Sequence, residues 1–312
     1  MKTLFIVLVI SFCIPMKSFC IEEATKVEYD PKIVELLKNA SSYLEEDEKL
    51  RQESVAKLVE IGAPAVPYLC SRLDTDNIME IIALTNALSK IGEPAVEELH
   101  KGLKLESEKA RDLAMKILAS IGSEKSVPVF KEALNSDKWV MRANAAAGLG
   151  KSKTKEAREL LLGMLKNTDD DVRLRALLAL ADIADDEIYA RTIDMLDDPS
   201  FMVRFGASEI LSERGEASIP MLEKKLHSSE KLITRLLIIE TLGNTKSKSA
   251  VKIIEPLMAS ENVLERSYAA MAFAKVAPQA DIAKLEKVLE TEKNFVAKKA
   301  FKRAIEAFKK RF

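Results

Sequence analysis

Histidine, cysteine and tryptophan are scarce in this 312-residue chain, which holds two histidines, three cysteines and one tryptophan. Zinc sites use cysteine and histidine ligands at short characteristic spacings, and neither Cys-x-x-Cys nor His-Glu-x-x-His occurs. His100 and His227 stand far apart, each near the end of a separate predicted helix, so they cannot share a metal. A serine or cysteine nucleophile would also have no obvious base beside it. The composition favours a non-catalytic protein without metal or cofactor.

The first twenty residues and the cysteines indicate in which cellular compartment the protein is found. Lys2 precedes an apolar run from Thr3 to Pro15, and Ser18-Phe19-Cys20 follows. The run is too short to span a bilayer comfortably, so residues 1–20 are predicted to be a cleaved secretory signal and the protein to be periplasmic or extracellular. An uncleaved anchor and a lipid anchor through Cys20 are the alternatives. Cleavage after Cys20 would leave Cys70 as the only cysteine. It is predicted to be buried and could not form an internal disulfide.

Glycine is also sparse, at ten residues. Gly150-Lys151-Ser152 imitates the end of a phosphate-binding loop, but that loop needs a glycine where Ala145 stands. The sequence instead favours Gly150 as a helix-end glycine equivalent to Gly243. Nucleotide binding is therefore not expected.

No stretch alternates polar and apolar residues for long enough to predict strands, and the dominant pattern is an arginine that recurs every 31 residues. The six positions are Arg111, Arg142, Arg173, Arg204, Arg235 and Arg266. Upstream the step is 30, with Arg51 and Ile81 at the same position, and downstream Ala297 follows. A register kept this long indicates an array of about nine near-identical units.

Each unit is predicted to be two helices joined by a polar turn. Six residues before the repeated position stand residues that commonly cap helices: Thr75, Ser136, Asn167, Asp198, Ser229, Ser260 and Thr291. Leu105 breaks this pattern, and Ser107 is the alternative cap there. The repeated position would then lie about two turns inside the second helix. Small residues three positions after it, such as Ala145 and Ala176, would let neighbouring helices approach closely.

These units resemble HEAT repeats of the short, lyase-like subtype, with the closest match in Asp171-Val172-Arg173-Leu174-Arg175-Ala176 and in Ala145-Ala146-Ala147-Gly148-Leu149-Gly150. The resemblance implies an all-α fold, an α-α superhelix of about nine hairpins, in which second helices line the concave face. The resemblance covers the array, roughly residues 45–290. With the other features of the sequence, the predicted organisation is a signal at 1–20, a lead-in with a capping helix at 21–44, the array at 45–290 and a basic capping helix at 291–312. HEAT proteins serve as scaffolds, adaptors and occasionally enzymes.

Catalytic relatives make an enzyme the alternative function. The deoxyhypusine hydroxylases of this family bind iron through His-Glu pairs, but here the pairs read His100-Lys101 and His227-Ser228. Phycobilin lyases share the repeat subtype, so a lyase-like active site in the groove stays open. HEAT-like DNA glycosylases are disfavoured by the acidic body and by predicted export.

Charge is unevenly distributed. Residues 293–312 carry eight basic residues against Glu306, whereas the net charge of the whole chain is −1, so the body is acidic. An acidic body argues against nucleic acid, which needs a basic stripe. The basic end is predicted to cap the last repeat. Contact with anionic membrane, giving a peripheral adaptor, is the alternative. We expect a monomer.

The repeated arginines are predicted to be structural. Acidic residues recur four to six positions before them (Asp137, Asp169, Asp198, Glu230, Glu261), and each guanidinium is expected to bond a neighbouring repeat's turn. An anion-binding track is the alternative.

A partner is expected on the second helices, at positions two, five and nine after the repeated one. The predicted site, here called the concave strip, comprises Arg175, Asp182, Glu209, Glu213, Leu237, Glu240, Tyr268 and Met271. Its mostly acidic middle and apolar end suggest a protein or peptide partner with some basic character. An ordinary solvated helix face is the alternative. Leu178 interrupts the acidic stretch and belongs either to this face or to the surface that packs between helices. Trp139 and Phe201 are predicted to pack between repeats.

Overall fold

A computed structural model describes residues 28–183 and 185–311. The predicted signal at residues 1–20, like residues 21–27, lies outside the described residues. All regular structure within the described part is helical. None of its helices has the length and apolar character needed to cross a membrane.

Eighteen α-helices follow one another in the described residues and form nine antiparallel pairs. The first helices of the pairs are α1 (Pro31–Ala40), α3 (Val66–Ser71), α5 (Val96–Gly102), α7 (Val127–Ala133), α9 (Lys155–Met164), α11 (Asp186–Met195), α13 (Ile219–Ser228), α15 (Val251–Leu257) and α17 (Ile282–Thr291). The second helices are α2 (Glu48–Ile61), α4 (Ile78–Ile91), α6 (Glu108–Ile121), α8 (Trp139–Ser152), α10 (Asp170–Ala181), α12 (Phe201–Glu213), α14 (Leu232–Asn244), α16 (Val263–Val276) and α18 (Phe295–Arg311). The predicted all-α solenoid of nine hairpins is confirmed.

The second helices of the hairpins form one layer and the first helices another, and the layer of second helices is more closely packed. Each second helix lies against the second helices before and after it, as α14 does against α12 and α16, whereas successive first helices approach one another much less. The more tightly spaced layer of a curved array lies on the inside of the curve, so the second helices line the concave face. Each helix contacts mainly its near neighbours along the chain, as expected for a solenoid.

Helix starts differ from the sequence-based expectation by two residues. The N-caps of α4, α6 and α10 are Asn77, Ser107 and Asp169, whose side chains accept from N–H groups of the first turn. The predicted caps Thr75 and Asn167 instead accept from the N–H two residues on, at 3.2 and 2.9 Å, and so form the turn before the helix. The cap assignments at these positions were therefore wrong, although Ser107 caps as the alternative proposed. The repeated arginine lies at the fourth helical residue, one turn in rather than two.

Small residues set the spacing between second helices. A Cβ on Gly150 would lie 2.7 Å from the carbonyl oxygen of Ala179, and a Cβ on Gly243 would lie 2.8 Å from the Cα of Ala272. Both distances are far below normal carbon contacts, so only glycine permits this approach. Both glycines lie in the last turn of their helices, α8 and α14, as the sequence predicts for helix-end glycines, and neither has a positive φ.

The first and last hairpins of the described residues pack in the same way as the interior hairpins. Helix α1 packs on α2 as the first hairpin, and α18 packs on α16 and α17 as the last second helix. Phe301 and Phe308 of α18 are fully buried against the preceding repeat. Arg311 donates to the carbonyl oxygens of Ala274 and Ala277 at the end of α16, where a cation is favoured by the helix dipole. The basic C-terminal segment therefore packs on the preceding helices through its apolar side and keeps its lysines in solvent.

Candidate functional site

The repeated arginines hold the turn between the two helices of their own hairpin. In five of the six repeats one guanidinium nitrogen, Nη1, donates to the two carbonyl oxygens six and five positions earlier. Arg173 shows the geometry, with 2.7 Å to Asn167 and 3.0 Å to Thr168. The other four cases are Arg111, Arg142, Arg204 and Arg266. Arg235 instead donates to the carbonyl oxygen of Leu226. The planar fork of arginine suits this double contact.

The remaining nitrogens reach a carboxylate of the next repeat in four cases. Arg173 pairs with Asp198 through two parallel bonds of 2.8 Å, and Arg266 pairs with Glu292 in the same bidentate manner. Arg235 donates to Glu265 at 2.5 Å, while Arg142 makes a longer contact of 3.4 Å with Asp169. The expected contact to a neighbouring repeat's turn is thus present at these positions. Arg111 and Arg204 have no carboxylate partner in the described part of the chain.

Only some of the predicted acids serve as partners. Asp169 and Asp198 accept through their carboxylates, but Asp137 and Glu261 contribute backbone oxygens and Glu230 makes no contact with the arginines. Sequence reasoning missed Glu265 and Glu292 because these acids do not occupy one repeating position. Glu265 directly precedes Arg266, and its equivalent Glu80 pairs with Arg72 in the repeat where Ile81 replaces the arginine.

The paired carboxyl groups have depressed pKa values. Burial alone would raise the pKa of Asp198, but hydrogen bonds from Arg173 and the Ser200 N–H outweigh it and hold that pKa below its usual value. Hydrogen bonds from Arg235 and Arg266 lower the pKa values of Glu265 and Glu292 against the opposing effect of burial. These arginines are thus committed to internal partners, which argues against an anion-binding track.

The concave strip lies on the second helices as predicted, but its members differ in accessibility. Asp182, Glu209, Glu213, Glu240 and Tyr268 are exposed. Arg175, Leu237 and Met271 are half-buried. Arg175 donates to Asp171 at 3.2 Å, one turn earlier in α10. Leu178, which the sequence left between two surfaces, is exposed on this face.

The prediction that Trp139 and Phe201 pack between repeats was wrong. Trp139 is 58% exposed and Phe201 is 63% exposed. Each is the first residue of its helix, where the Cα–Cβ bond points toward the open N-terminal end and no preceding turn lies beneath the ring. The guanidinium of Arg175 lies 5.7 Å from the Trp139 ring centroid, and that of Arg204 lies 6.0 Å from the Phe201 ring centroid. The concave face therefore carries solvent-facing aromatic groups that the strip did not include.

Two depressions lie on the concave strip. One of about 300 Å³ is lined by Glu240, Tyr268, Met271 and Lys275, with Ala300 of α18 at its edge. This is the lower end of the range for ligand pockets and matches a single bulky side chain better than a cofactor. The other, of about 540 Å³, is lined by Glu209, Ser212, Glu213, Gly215, Asn244, Thr245 and Lys246. The strip thus offers one mainly apolar recess next to one rich in carboxylate.

A sequence model of HEAT repeats matches residues 96–181, 164–235 and 219–306, which together cover more than half of the chain. The chain belongs to the HEAT-repeat family. No curated protein sequence matches it significantly.

Several solved structures are similar to this HEAT array. The Escherichia coli protein YibA is 17% identical over 82% of this chain and 95% of its own, with a TM-score of 0.45. The complex of CpcE and CpcF of phycocyanin lyase from Nostoc sp. PCC7120 is 24% identical over 47% of this chain and 97% of the matched one, with a TM-score of 0.42. Human deoxyhypusine hydroxylase is 17% identical over 82% and 98%, with a TM-score of 0.35. Similarities of this level carry no functional conclusion.

His100 and Cys70 are partly or fully buried, whereas His227 is exposed. His100 Nε2 lies 3.0 Å from Ser126 Oγ, but Ser126 is fully buried and burial lowers the pKa of the histidine. His227 is exposed on α13, far from it along the array. Burial raises the pKa of the Cys70 thiol to about 12, so it is not a thiolate at neutral pH. No cluster of three or more metal-ligating side chains occurs among the described residues.

Proposed function

We propose that this HEAT array is a non-catalytic scaffold that binds a segment of a partner protein on its concave face. The observation that carries the proposal is the contrast between the two kinds of charge on the second helices. Four of the repeated arginines are bonded to acids of the next repeat, whereas the concave strip presents carboxylates without such partners beside one mainly apolar recess. A surface of this kind is available to a partner without breaking any internal contact.

The placement of reactive groups supports a non-catalytic role. A nucleophilic serine must reach its substrate, and Ser126 beside His100 is fully buried. Cys70 is a buried thiol with a raised pKa. Glu209 and Glu213 stand one helical turn apart on α12, and Asp182 and Glu240 lie on the neighbouring helices; all four are exposed on open helix faces. A lyase-like activity in the groove has no such support.

Site-specific photo-crosslinking tests the proposal. A photoreactive residue at Glu240 on the concave face should capture a discrete protein in cells that express the chain. The same residue at Glu223, which is exposed on the first helix α13, should not. Reversing Asp182, Glu209 and Glu213 to lysine should abolish the adduct at position 240. Equal capture at both positions, or capture that survives the reversal, would contradict the proposal.

We also propose that the protein is exported, which rests on residues 1–20 alone. Lys2 and the apolar run from Thr3 to Pro15 have the arrangement of a secretory signal. N-terminal sequencing of protein from the exported fraction should begin at Ile21. Recovery of the chain with Met1 intact in the cytoplasm would overturn export.

A further inference from the structure

An exposed row of apolar side chains runs across four successive second helices. It comprises Phe201, Met202, Phe205, Ile233, Leu264 and Phe295, here called the apolar row. All lie in the first halves of α12, α14, α16 and α18. These helices pack side by side in the same direction, and Met202, Ile233, Leu264 and Phe295 each stand two positions before the repeated one, so the side chains line up as one band across the helices. With helices about 10 Å apart, the band extends roughly 30 Å.

A band of this extent is unusual on a soluble surface. Phe201 and Phe205 lie one turn apart on α12 with their rings stacked at a centroid distance of 6.0 Å, and both are about half exposed or more. Isolated exposed apolar residues need no explanation, but contiguous ones on neighbouring helices indicate a contact surface. Tyr268 adds an aromatic group beside the apolar recess on α16.

A second row, here called the acidic row, consists of Asp182, Glu209, Glu213 and Glu240 and runs parallel to the first on α10, α12 and α14. None of the four carboxylates has a side-chain hydrogen bond or ion pair within the described residues. Glu213 ends α12 and Asp182 follows the last residue of α10, so both stand where the helix dipole is already negative. The two effects add, and the row carries a negative potential, which Lys246 and Lys275 at the edges of the same recesses reduce without pairing with any of the four carboxylates.

The two rows meet on α12 and α14. Phe205 and Glu209 are one helical turn apart, about 6 Å along the axis, and Ile233 and Glu240 are two turns apart, about 10 Å. Phe201, Phe205, Glu209 and Glu213 follow one another at intervals of four residues, each offset by about 40° around α12, so neighbouring members of the series lie side by side. A ligand that covers both rows therefore needs an apolar side and a cationic side about one helix diameter apart.

We propose that the apolar row and the acidic row together bind an amphipathic helix of a partner protein that carries lysine or arginine along one edge of its apolar face. This rests on the proposed scaffold function and names the chemistry of its partner. The cationic edge lies over α10, α12 and α14, and the apolar face continues onto α16 and α18, where Tyr268 and Met271 border the recess. A helix of about 20 residues spans the 30 Å band. An anionic membrane is disfavoured, because the carboxylates stand beside the apolar side chains that would have to enter it.

The probe is a synthetic 20-residue helix of leucine and lysine, with a leucine–glutamate helix of the same pattern as its counterpart. Titration of the purified chain into fluorescently labelled peptide, followed by anisotropy, should give binding to the lysine peptide at least tenfold tighter than to the glutamate peptide. Raising the salt concentration should narrow this ratio, since exposed charges are screened.

Matched variants distinguish binding at the two rows from nonspecific binding elsewhere on the protein surface. Phe201→Ser with Ile233→Ser should weaken binding of the lysine peptide about tenfold at every salt concentration. Ile78→Ser, an equally exposed residue at the start of α4, should leave it unchanged. Glu209→Gln with Glu240→Gln should weaken binding severalfold at low salt only, and Glu223→Gln should not. All changed side chains are solvent-exposed, so folding is not at issue.

Equal binding of both peptides would overturn the cationic specificity, and an equal loss in Ile78→Ser would overturn the site. Tighter binding to phosphatidylglycerol vesicles than to the lysine peptide, lost in Phe201→Ser, would show a membrane surface instead. Any of these results leaves the crosslinking at Glu240 to decide the scaffold function separately.

Discussion

Removing the Arg173 side chain should cost far more stability than removing Arg204. Both arginines hold two carbonyl oxygens of their own turn, but only Arg173 also forms a bidentate pair with a carboxylate, Asp198. The Arg173 side chain is 10% exposed and that of Asp198 is 4% exposed. Leaving a buried carboxylate without its cation typically costs about 3–5 kcal/mol, whereas losing two hydrogen bonds at a partly exposed turn costs about 1–2 kcal/mol.

Urea denaturation followed by far-UV circular dichroism measures the difference. Arg173→Met should lower the free energy of unfolding by at least about 1.5 kcal/mol more than Arg204→Met, the matched control one repeat away. Asp198→Asn keeps an oxygen that accepts from the Ser200 N–H, so the Arg173→Met, Asp198→Asn double variant should recover part of the loss. Equal costs for the two arginines, or additive effects in the double variant, would refute the reasoning.

The same pair predicts a pH dependence. The folded-state pKa of Asp198 lies below its unfolded value of about 3.9, so its contribution is complete above that value and is lost as pH falls through the folded pKa. At about pH 3 the difference between wild type and the double variant should therefore be smaller than at pH 7. A difference that stays constant over this window would show that the carboxylate is not responsible.

Three further outcomes follow from packing. Gly243→Ala should destabilise the array by about 1–3 kcal/mol because its Cβ meets Ala272, whereas Gly163→Ala in α9, with open space around it, should stabilise slightly, as urea titration would show. Cys70, once the other two cysteines are replaced by serine, should react with a thiol reagent only on unfolding, and fast labelling of the native chain would contradict its burial. Phe301→Ala should cost about 3–5 kcal/mol by calorimetry, and a negligible change would show that α18 is not a packed cap.

The repeat was enough to predict the fold, but it did not predict which side chains form the hydrogen bonds at the helix starts. A 31-residue period with one apolar stripe indicates stacked hairpins, and residues 28–311, apart from residue 184, contain nine of them. The helix starts were misplaced because Thr75 and Asn167 have cap-type side chains that serve the preceding turn instead. Side-chain chemistry alone does not separate these two uses, since both satisfy a free N–H group.

The candidate site was predicted in part. Periodicity placed Glu209, Glu240 and Tyr268 on an open helix face, where the structure has them. It assigned Phe201 to the interior because large aromatic side chains are usually buried. Whether a ring at a helix start is covered depends on the neighbouring repeat, and that information is absent from a single period.

Helices that contact chiefly their immediate neighbours have a consequence for how such a chain evolves. Each hairpin presents to the next nearly the same surface that it receives from the previous one. After an in-frame duplication or loss of one 31-residue unit in the interior, the hairpins on either side therefore still have matching packing surfaces. The length of the array changes by the thickness of one hairpin. Natural variants of this protein should accordingly differ in length by whole units, with the terminal hairpins retained as lids.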